Sequence, residues 1–390
     1  MRRRDVIVVG AGPAGAATAI LLAERGLDVL VVDRATFPRP KICGEYVSPE
    51  GARILDRLGA LKAIDAAGAA PLVGMRITAP DGTALDARYR AIGSWRPYRE
   101  HALALSRSVL DAILVDRLRA LPVELREGVR VTDLTIDGDR VTGVETVDAS
   151  GRRETIEARL VVGADGRASV VAHRLGCRHA HRLRRIALTT YVRGLAECRD
   201  VGEIFVDPPD YAILNPLAPD RVNMSLVVPL EDVTPWRGRL EAFFVARVKQ
   251  LPHLARRVAG AVRVAPLEAM GPLAYRVTPP RHGGVLLVGD AAGFYDPLTG
   301  EGVFSALRGA ELAVETVARA LARGDVSRGA LAEYEAARRA VFAGKHRFTR
   351  ALQFIVGHRR IADLTARMLA RRQGLLDVTL GVVGDYVPFF

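Results

Sequence analysis

The 390-residue sequence predicts an α/β fold: a parallel sheet with helices packed on it, an antiparallel sheet inserted into it, and helices at the C-terminal end. Three observations predict it. Val6-Ile7-Val8-Val9, a β-branched run typical of a buried parallel strand, leads straight into a glycine-rich turn and a helical stretch. A second buried run, Val285 to Val288, lies far downstream and also meets a glycine-rich turn. Between the two, strand-like alternation and hairpin turns dominate, so the parallel sheet is discontinuous in the sequence.

Residues 5 to 33 read as strand, tight turn, helix and strand, a βαβ unit. The Ala/Leu-rich helix Ala16 to Arg25 ends at Gly26, which suits a left-handed C-cap. The next strand, Asp28 to Val32, closes on Asp33. Residues 75 to 98 alternate weakly around the turn Pro80-Asp81-Gly82 and read as sheet. Ser106 to Leu121 is a helix, with Ser106 or Ser108 as its cap. Residues 123 to 162 are strands and hairpins turning at Asp137-Gly138 and Ser150-Gly151, and Leu160-Val161-Val162 leads into Gly163-Ala164-Asp165-Gly166. Residues 183 to 229 are strand-rich, a helix follows from Trp236 to Gln250, and strand returns from 260 to 275. From Gly302 the chain is mainly helical to about 372.

Chemistry enters at the first turn, Gly10-x-Gly12-x-x-Gly15. Gly10 permits the turn, Gly12 lets a pyrophosphate reach the backbone, and Gly15 allows close helix–strand packing. The helix N-terminus supplies free N–H groups and a positive dipole end. Asp33, ending the second strand, is placed to accept hydrogen bonds from a ribose diol, and Ala14 and Arg34 join the same set. This motif suits FAD and NAD equally. The downstream motif separates them: Gly289-Asp290 ends a strand and offers one carboxylate to a chain of hydroxyls, which FAD's ribityl linker has and NAD lacks. Beyond it, Pro297, Gly300 and Gly302 lie next to a helix start, where backbone N–H groups can meet the flavin's N1–C2=O edge. The expected fold is therefore a Rossmann-like FAD-binding domain with an inserted antiparallel β-sheet substrate domain and C-terminal helices. The FAD-binding parts are 1–75, 100–182 and 276–330, the substrate parts 76–99 and 183–275, and the helical region 331–390.

Composition excludes several classes. Cys43, Cys177 and Cys198 form neither a disulfide framework nor a CxxC pair, and the histidines show no metal spacing, so no metal is expected and a reducing cytoplasm suits the chain. Arg2, Arg3 and Arg4 before Val6 to Val9 resemble a signal peptide's basic and apolar regions, but Gly10, Gly12, Pro13 and Gly15 break the run. No later stretch is apolar enough to span a bilayer, so the protein reads as soluble. The net charge of +12 comes from scattered arginines, which argues against a nucleic-acid partner. One local excess stands out: Arg338, Arg339, Lys345, Arg347 and Arg350, then Arg359, Arg360, Arg367, Arg371 and Arg372. It is compatible with an anionic cofactor, at most peripheral membrane contact, or a carrier protein.

The two glycine motifs resemble the para-hydroxybenzoate hydroxylase superfamily of FAD proteins. Pro40-Lys41-x-Cys43-Gly44-Glu45-x-x-Ser48 resembles the geranylgeranyl reductase family within it, and Gly293, where aromatic hydroxylases usually carry histidine, points the same way. The resemblance covers the whole chain. It implies a long apolar pocket facing the flavin, catalytic positions at Lys41, Cys43 and Glu45, and Arg107 near the flavin diphosphate. Asp165 and Gly166 match a stretch thought to serve FAD and NADPH, but Ala172 stands where that pattern has arginine. In Tyr211-Ala212-Ile213-Leu214-Asn215-Pro216, Ile213 and Asn215 replace the reductases' Trp and Phe, which favours a non-prenyl substrate. Cys43 has two readings: a thiol beside the flavin, with Lys41 favouring its thiolate, or a small buried hydrophobe. Arg107 likewise reads as a cofactor contact or as a surface salt bridge.

The expected function is an FAD-dependent oxidoreductase acting on a small lipophilic or polyketide-like substrate, with alkene reduction slightly favoured. The enzyme alternative is an FAD monooxygenase. NAD(P)H, a reductase or a ferredoxin would supply the electrons. A non-catalytic flavin- or lipid-binding protein is the alternative of a different class.

Overall fold

The computed structural model describes residues 3–197, 200–218 and 220–389. Arg2 and Cys198 lie outside the described residues. Val6 to Val9 form the heart of a parallel sheet, with all four side chains buried. The strand Arg4–Val9 pairs in parallel with Val29–Asp33 on one side and with Arg153–Gly163 on the other. Val123–Glu127 extends this seven-stranded sheet beyond Val29–Asp33, and Val285–Leu287 adds on beyond Arg153–Gly163. Arg153–Gly163 changes partners along its length. Its first residues pair antiparallel with Arg140–Val147, and the stretch from Ala158 joins the parallel sheet. That one strand ties a surface hairpin to the sheet centre.

The second sheet has eight strands. Arg185–Arg193, Arg221–Pro229, Asp210–Ala218 and Val201–Asp207 are successive antiparallel neighbours. The next neighbour departs from the expected antiparallel sheet: Gly74–Thr78 runs parallel to Val201–Asp207, with Gly74 beside Val201, and Ala84–Arg88 completes the edge. The two parallel strands come from distant parts of the chain, so no hairpin fixes their direction.

Helix boundaries shift for local reasons. The opening helix spans Pro13–Ala23, beginning at the proline because a pre-set φ suits a first helical position. The helix expected from Trp236 spans Leu240–Gln250, because Gly238 at φ +79° breaks the chain before it. The helix expected at Ser106 spans Arg107–Arg119, and the Ser106 hydroxyl meets the Ser108 hydroxyl at 3.0 Å instead of capping the backbone. The C-terminal region holds Gly302–Ala322, Arg328–Val356 and Arg359–Ala370. A further helix, Gln373–Val383, lies past the expected end at 372; Leu376, Leu380 and Val382 bury there against Tyr89 and Ala87. Among the described residues, no helix is long and apolar enough to cross a membrane.

Candidate active site

The glycine turn leaves no room for side chains. Gly10 sits at φ +100°, and a Cβ there would lie 2.6 Å from the Ala164 carbonyl oxygen. A Cβ on Gly15 would lie 1.8 Å from the Gly10 carbonyl oxygen. The turn thus packs directly between helix and sheet. Gly12 occupies the N-cap of the opening helix, where no side chain caps the free N–H groups. Its open side faces two cations: the ends of Arg39 and Arg107 lie 3.6 and 3.9 Å from where its Cβ would be. Asp33 closes the turn from below, accepting from the Ala11 N–H at 2.7 Å and the Ala35 N–H at 2.8 Å. Arg34 points to solvent.

Arg107 is no surface salt bridge. It is buried, and its guanidinium grips Asp111 through two bonds of 2.8 Å. Burial opposes its charge, yet Asp111 and the Cys43 sulfur beside it hold the proton more firmly than usual. Arg39 reaches the same carboxylate at 3.4 Å. Sequence reasoning missed Arg39, although its place beside Pro40-Lys41 marked a basic run.

The downstream motif comes to the same cleft. Gly289, at φ +63°, has its missing Cβ 2.8 Å from the Ala14 methyl, so the two motifs touch. Asp290, Pro297, Gly300 and Gly302 line the cleft with Gly12, Ala14 and Arg107. Gly300, at φ +63°, lies against the Tyr46 ring, where a Cβ would come within 2.6 Å. Gly293 takes φ +126°, a conformation that a histidine there would strain. Asp165 spends one carboxylate oxygen on the Val170 N–H at 2.7 Å, capping the short helix Val170–Arg174, and burial raises its pKa. Gly166 faces Lys41, with the ammonium 3.3 Å from its Cβ position. Ala172, where the hydroxylase pattern has arginine, is buried.

Lys41, Cys43 and Glu45 share one loop but do different things. Lys41 and Cys43 line the cleft. Burial, reinforced by Arg107, pulls the Lys41 ammonium below its usual range. Glu45 is buried at φ +56° and fully occupied: it accepts from the Arg107 N–H at 3.0 Å, the Tyr191 hydroxyl at 2.7 Å and the Asn223 amide at 3.1 Å. The Glu45 carboxylate, not a serine, satisfies that helix start. Burial raises its pKa against those three donors. Its own N–H points at the Cys43 sulfur, 3.3 Å away. Asn223 also donates to the Cys43 carbonyl at 3.0 Å, and Asn215 donates to the Gly44 carbonyl at 2.7 Å. Thus Asn215, read as a polar intrusion in an apolar wall, has its donor used by the loop; its acceptor oxygen has no partner. The available signal was a set of polar residues, Thr189, Asn223 and Ser225, at inward-facing positions of strands that are otherwise apolar inside.

The cleft is one continuous space that opens to solvent. Beyond the glycine cradle it passes Ile204, Ile213 and Val227 of the large sheet. It then runs on between Ile77 and Leu85 on one side and Ala366, Leu369 and Leu380 on the other. No group of side chains among the described residues can hold a metal ion.

The residues present fit FAD. The cradle excludes Cβ atoms at 10 and 15, sets two guanidinium groups and a helix N-terminus over Gly12, and joins Asp290 and the Gly300–Gly302 turn in one cleft. The comparisons agree. A family model described as FAD binding domain matches residues 3–349. Digeranylgeranylglycerophospholipid reductase 1 of Methanococcoides burtonii is 30% identical over 85% of this chain and 78% of its own. Conditioned medium factor receptor 1 of Dictyostelium discoideum is 28% identical over 85% of this chain, which spans only 66% of that protein. Among solved structures, the flavin-dependent halogenase CmlS superposes with a TM-score of 0.80 at 26% identity, over 89% of this chain and 64% of its own.

Proposed function

Since the chain belongs to the FAD-binding domain family, in its geranylgeranyl reductase-like branch, we propose that this FAD-dependent oxidoreductase reduces an alkene in an extended lipophilic molecule. The observation that carries the reading is the continuity of the cleft from the glycine cradle, past Lys41 and Cys43, to the apolar wall of the C-terminal helices. A wall of leucine, isoleucine and alanine favours a hydrocarbon chain by about 25 cal/mol for each Å² it shields from water. Ile213, smaller than the Trp of the family pattern, lines the cleft and favours a chain bulkier than a simple prenyl group.

Bound FAD supplies the two-electron chemistry. Arg107 and Arg39, both fixed by Asp111, would hold the anionic diphosphate. Asp290 would take ribityl hydroxyls, and the Gly300–Gly302 turn would offer backbone N–H groups to the flavin ring. Cys43 and Lys41 line the cleft where the second alkene carbon would take up its proton, and Cys43 is the donor proposed for it. Glu45 positions that loop. The apolar wall excludes water from the reacting carbons. Electrons come from NAD(P)H or from a protein donor.

Oxygen insertion is the second reading, since reduced flavin in the same cleft could react with oxygen before it meets an alkene. One experiment separates them. The FAD-loaded protein is reduced without oxygen and mixed with dispersed lipophilic alkenes, polyprenyl and bulkier non-prenyl ones alike. A product that has gained two hydrogens supports reduction. An oxygenated product formed only when oxygen is admitted overturns it.

A further inference from the structure

The helix Arg359–Ala370 carries two unlike faces. Ala362, Thr365, Ala366 and Leu369 line the cleft. On the opposite side Leu364 is 70% exposed and Met368 46% exposed, one turn apart. Phe354, just before this helix, and Leu375, just after it, are exposed by 58% and 42%. Large apolar side chains left this far in water mark a contact surface.

Unpaired charge around this stripe is mainly positive, Asp363 being held only by a backbone N–H. Every nearby carboxylate already has a partner: Asp81 holds Arg367, Asp207 holds Arg359, Asp363 accepts from the Asp81 N–H, and Asp377 holds Arg90. Arg360, Arg371 and Arg372 are exposed and have no carboxylate partner among the described residues. Lys345, from the same basic stretch of sequence, is buried against Asp385 and takes no part. What faces outward is a projecting row of leucine and methionine with free guanidinium groups at both ends.

We propose that this face docks on an anionic lipid bilayer, the helix lying in the interface with Leu364 and Met368 entering the acyl boundary. An amphipathic helix with arginine on its rim and bulky apolar side chains at its crest has the chemistry of such a site. Exposed apolar side chains flanked by unpaired arginines match the two layers of an anionic bilayer, acyl chains beneath charged headgroups. The inference is separate from the redox reading, and its test needs no substrate.

The test is flotation of the FAD-loaded protein with vesicles of phosphatidylcholine alone and of phosphatidylcholine mixed with phosphatidylglycerol. The protein should float only with the anionic vesicles. Arg360→Glu/Arg371→Glu/Arg372→Glu should weaken binding by at least about 100-fold, counting about 5-fold for each arginine lost. Leu364→Ser/Met368→Ser should weaken it too, with flavin absorbance and Tm unchanged. Arg130→Glu/Arg152→Glu/Arg153→Glu, the same charge change on a distant hairpin, should leave binding intact. Equal loss in that control, no flotation of the parent, or capture by an acidic carrier protein without vesicle binding overturns the proposal.

Discussion

Glu45→Gln tests whether this residue positions the Cys43 loop or acts on the substrate. The glutamine keeps an acceptor for the Arg107 N–H and the Tyr191 hydroxyl but turns an NH₂ toward the Asn223 amide, 3.1 Å from the present oxygen. Two donors then face each other. Relief requires Asn223 to reverse its amide, which gives up its bond to the Cys43 carbonyl. One hydrogen bond to a charged group and one neutral bond are lost, together about 2–4 kcal/mol. At about 2 cal/mol/K of unfolding entropy per residue, that lowers Tm by roughly 2–5 °C. The assay is thermal melting of the FAD-loaded protein, read beside turnover and combined with Asn223→Ala in a double-mutant cycle. Positioning predicts a lower Tm, a partial loss of turnover, and a coupling between the two sites of about 1–3 kcal/mol. An unchanged Tm with turnover abolished would refute it and make Glu45 a group that meets the substrate.

Three further outcomes are expected. Gly15→Ala, whose methyl would meet the Gly10 carbonyl oxygen at 1.8 Å, should give protein that loses FAD on gel filtration; yellow, stable protein would count against the cradle. Cys43→Ala should keep FAD content and Tm close to the parent while lowering turnover, because the thiol lines the cleft; a fall in Tm with normal turnover per flavin would mark it as a packing residue. Asp296 is buried with one oxygen unpartnered, and burial raises its pKa to about 6. A carboxyl raised in the folded state contributes stability fully below its unfolded value near 3.9, and that contribution is lost as pH rises through about 6. Asp296→Asn should therefore flatten the stability curve between about pH 4 and pH 6, read by denaturant unfolding; an unaltered slope would show that another group sets it.

What the sequence disclosed was local. Val6 to Val9, Gly10, Gly12 and Gly15 form one short segment whose spacing carries its own geometry, and their placement at the sheet centre and the turn follows from it. The second motif was readable for the same reason. The clamp on the loop was not, because Asn215, Asn223 and Tyr191 reach Gly44, Cys43 and Glu45 across most of the large sheet's sequence. Nothing in local periodicity tells a strand asparagine what it will meet. The parallel pairing of Gly74–Thr78 with Val201–Asp207 was hidden likewise. The helix Gln373–Val383 escaped notice because it is short and no side-chain cap announces its start.

The loop held by Asn215, Asn223 and Tyr191 also governs how the molecule can open. It acts as a bolt between the FAD half and the large sheet, and swinging those halves apart would strand several buried donors at about 1–3 kcal/mol each. The opposite wall is fastened more loosely. Arg359–Asp207 and Arg367–Asp81 are ion pairs whose arginines lie more than half in water, and such pairs contribute roughly 0–1 kcal/mol. The reacting end of the cleft is therefore held more firmly than the wall formed by the Arg359–Ala370 helix.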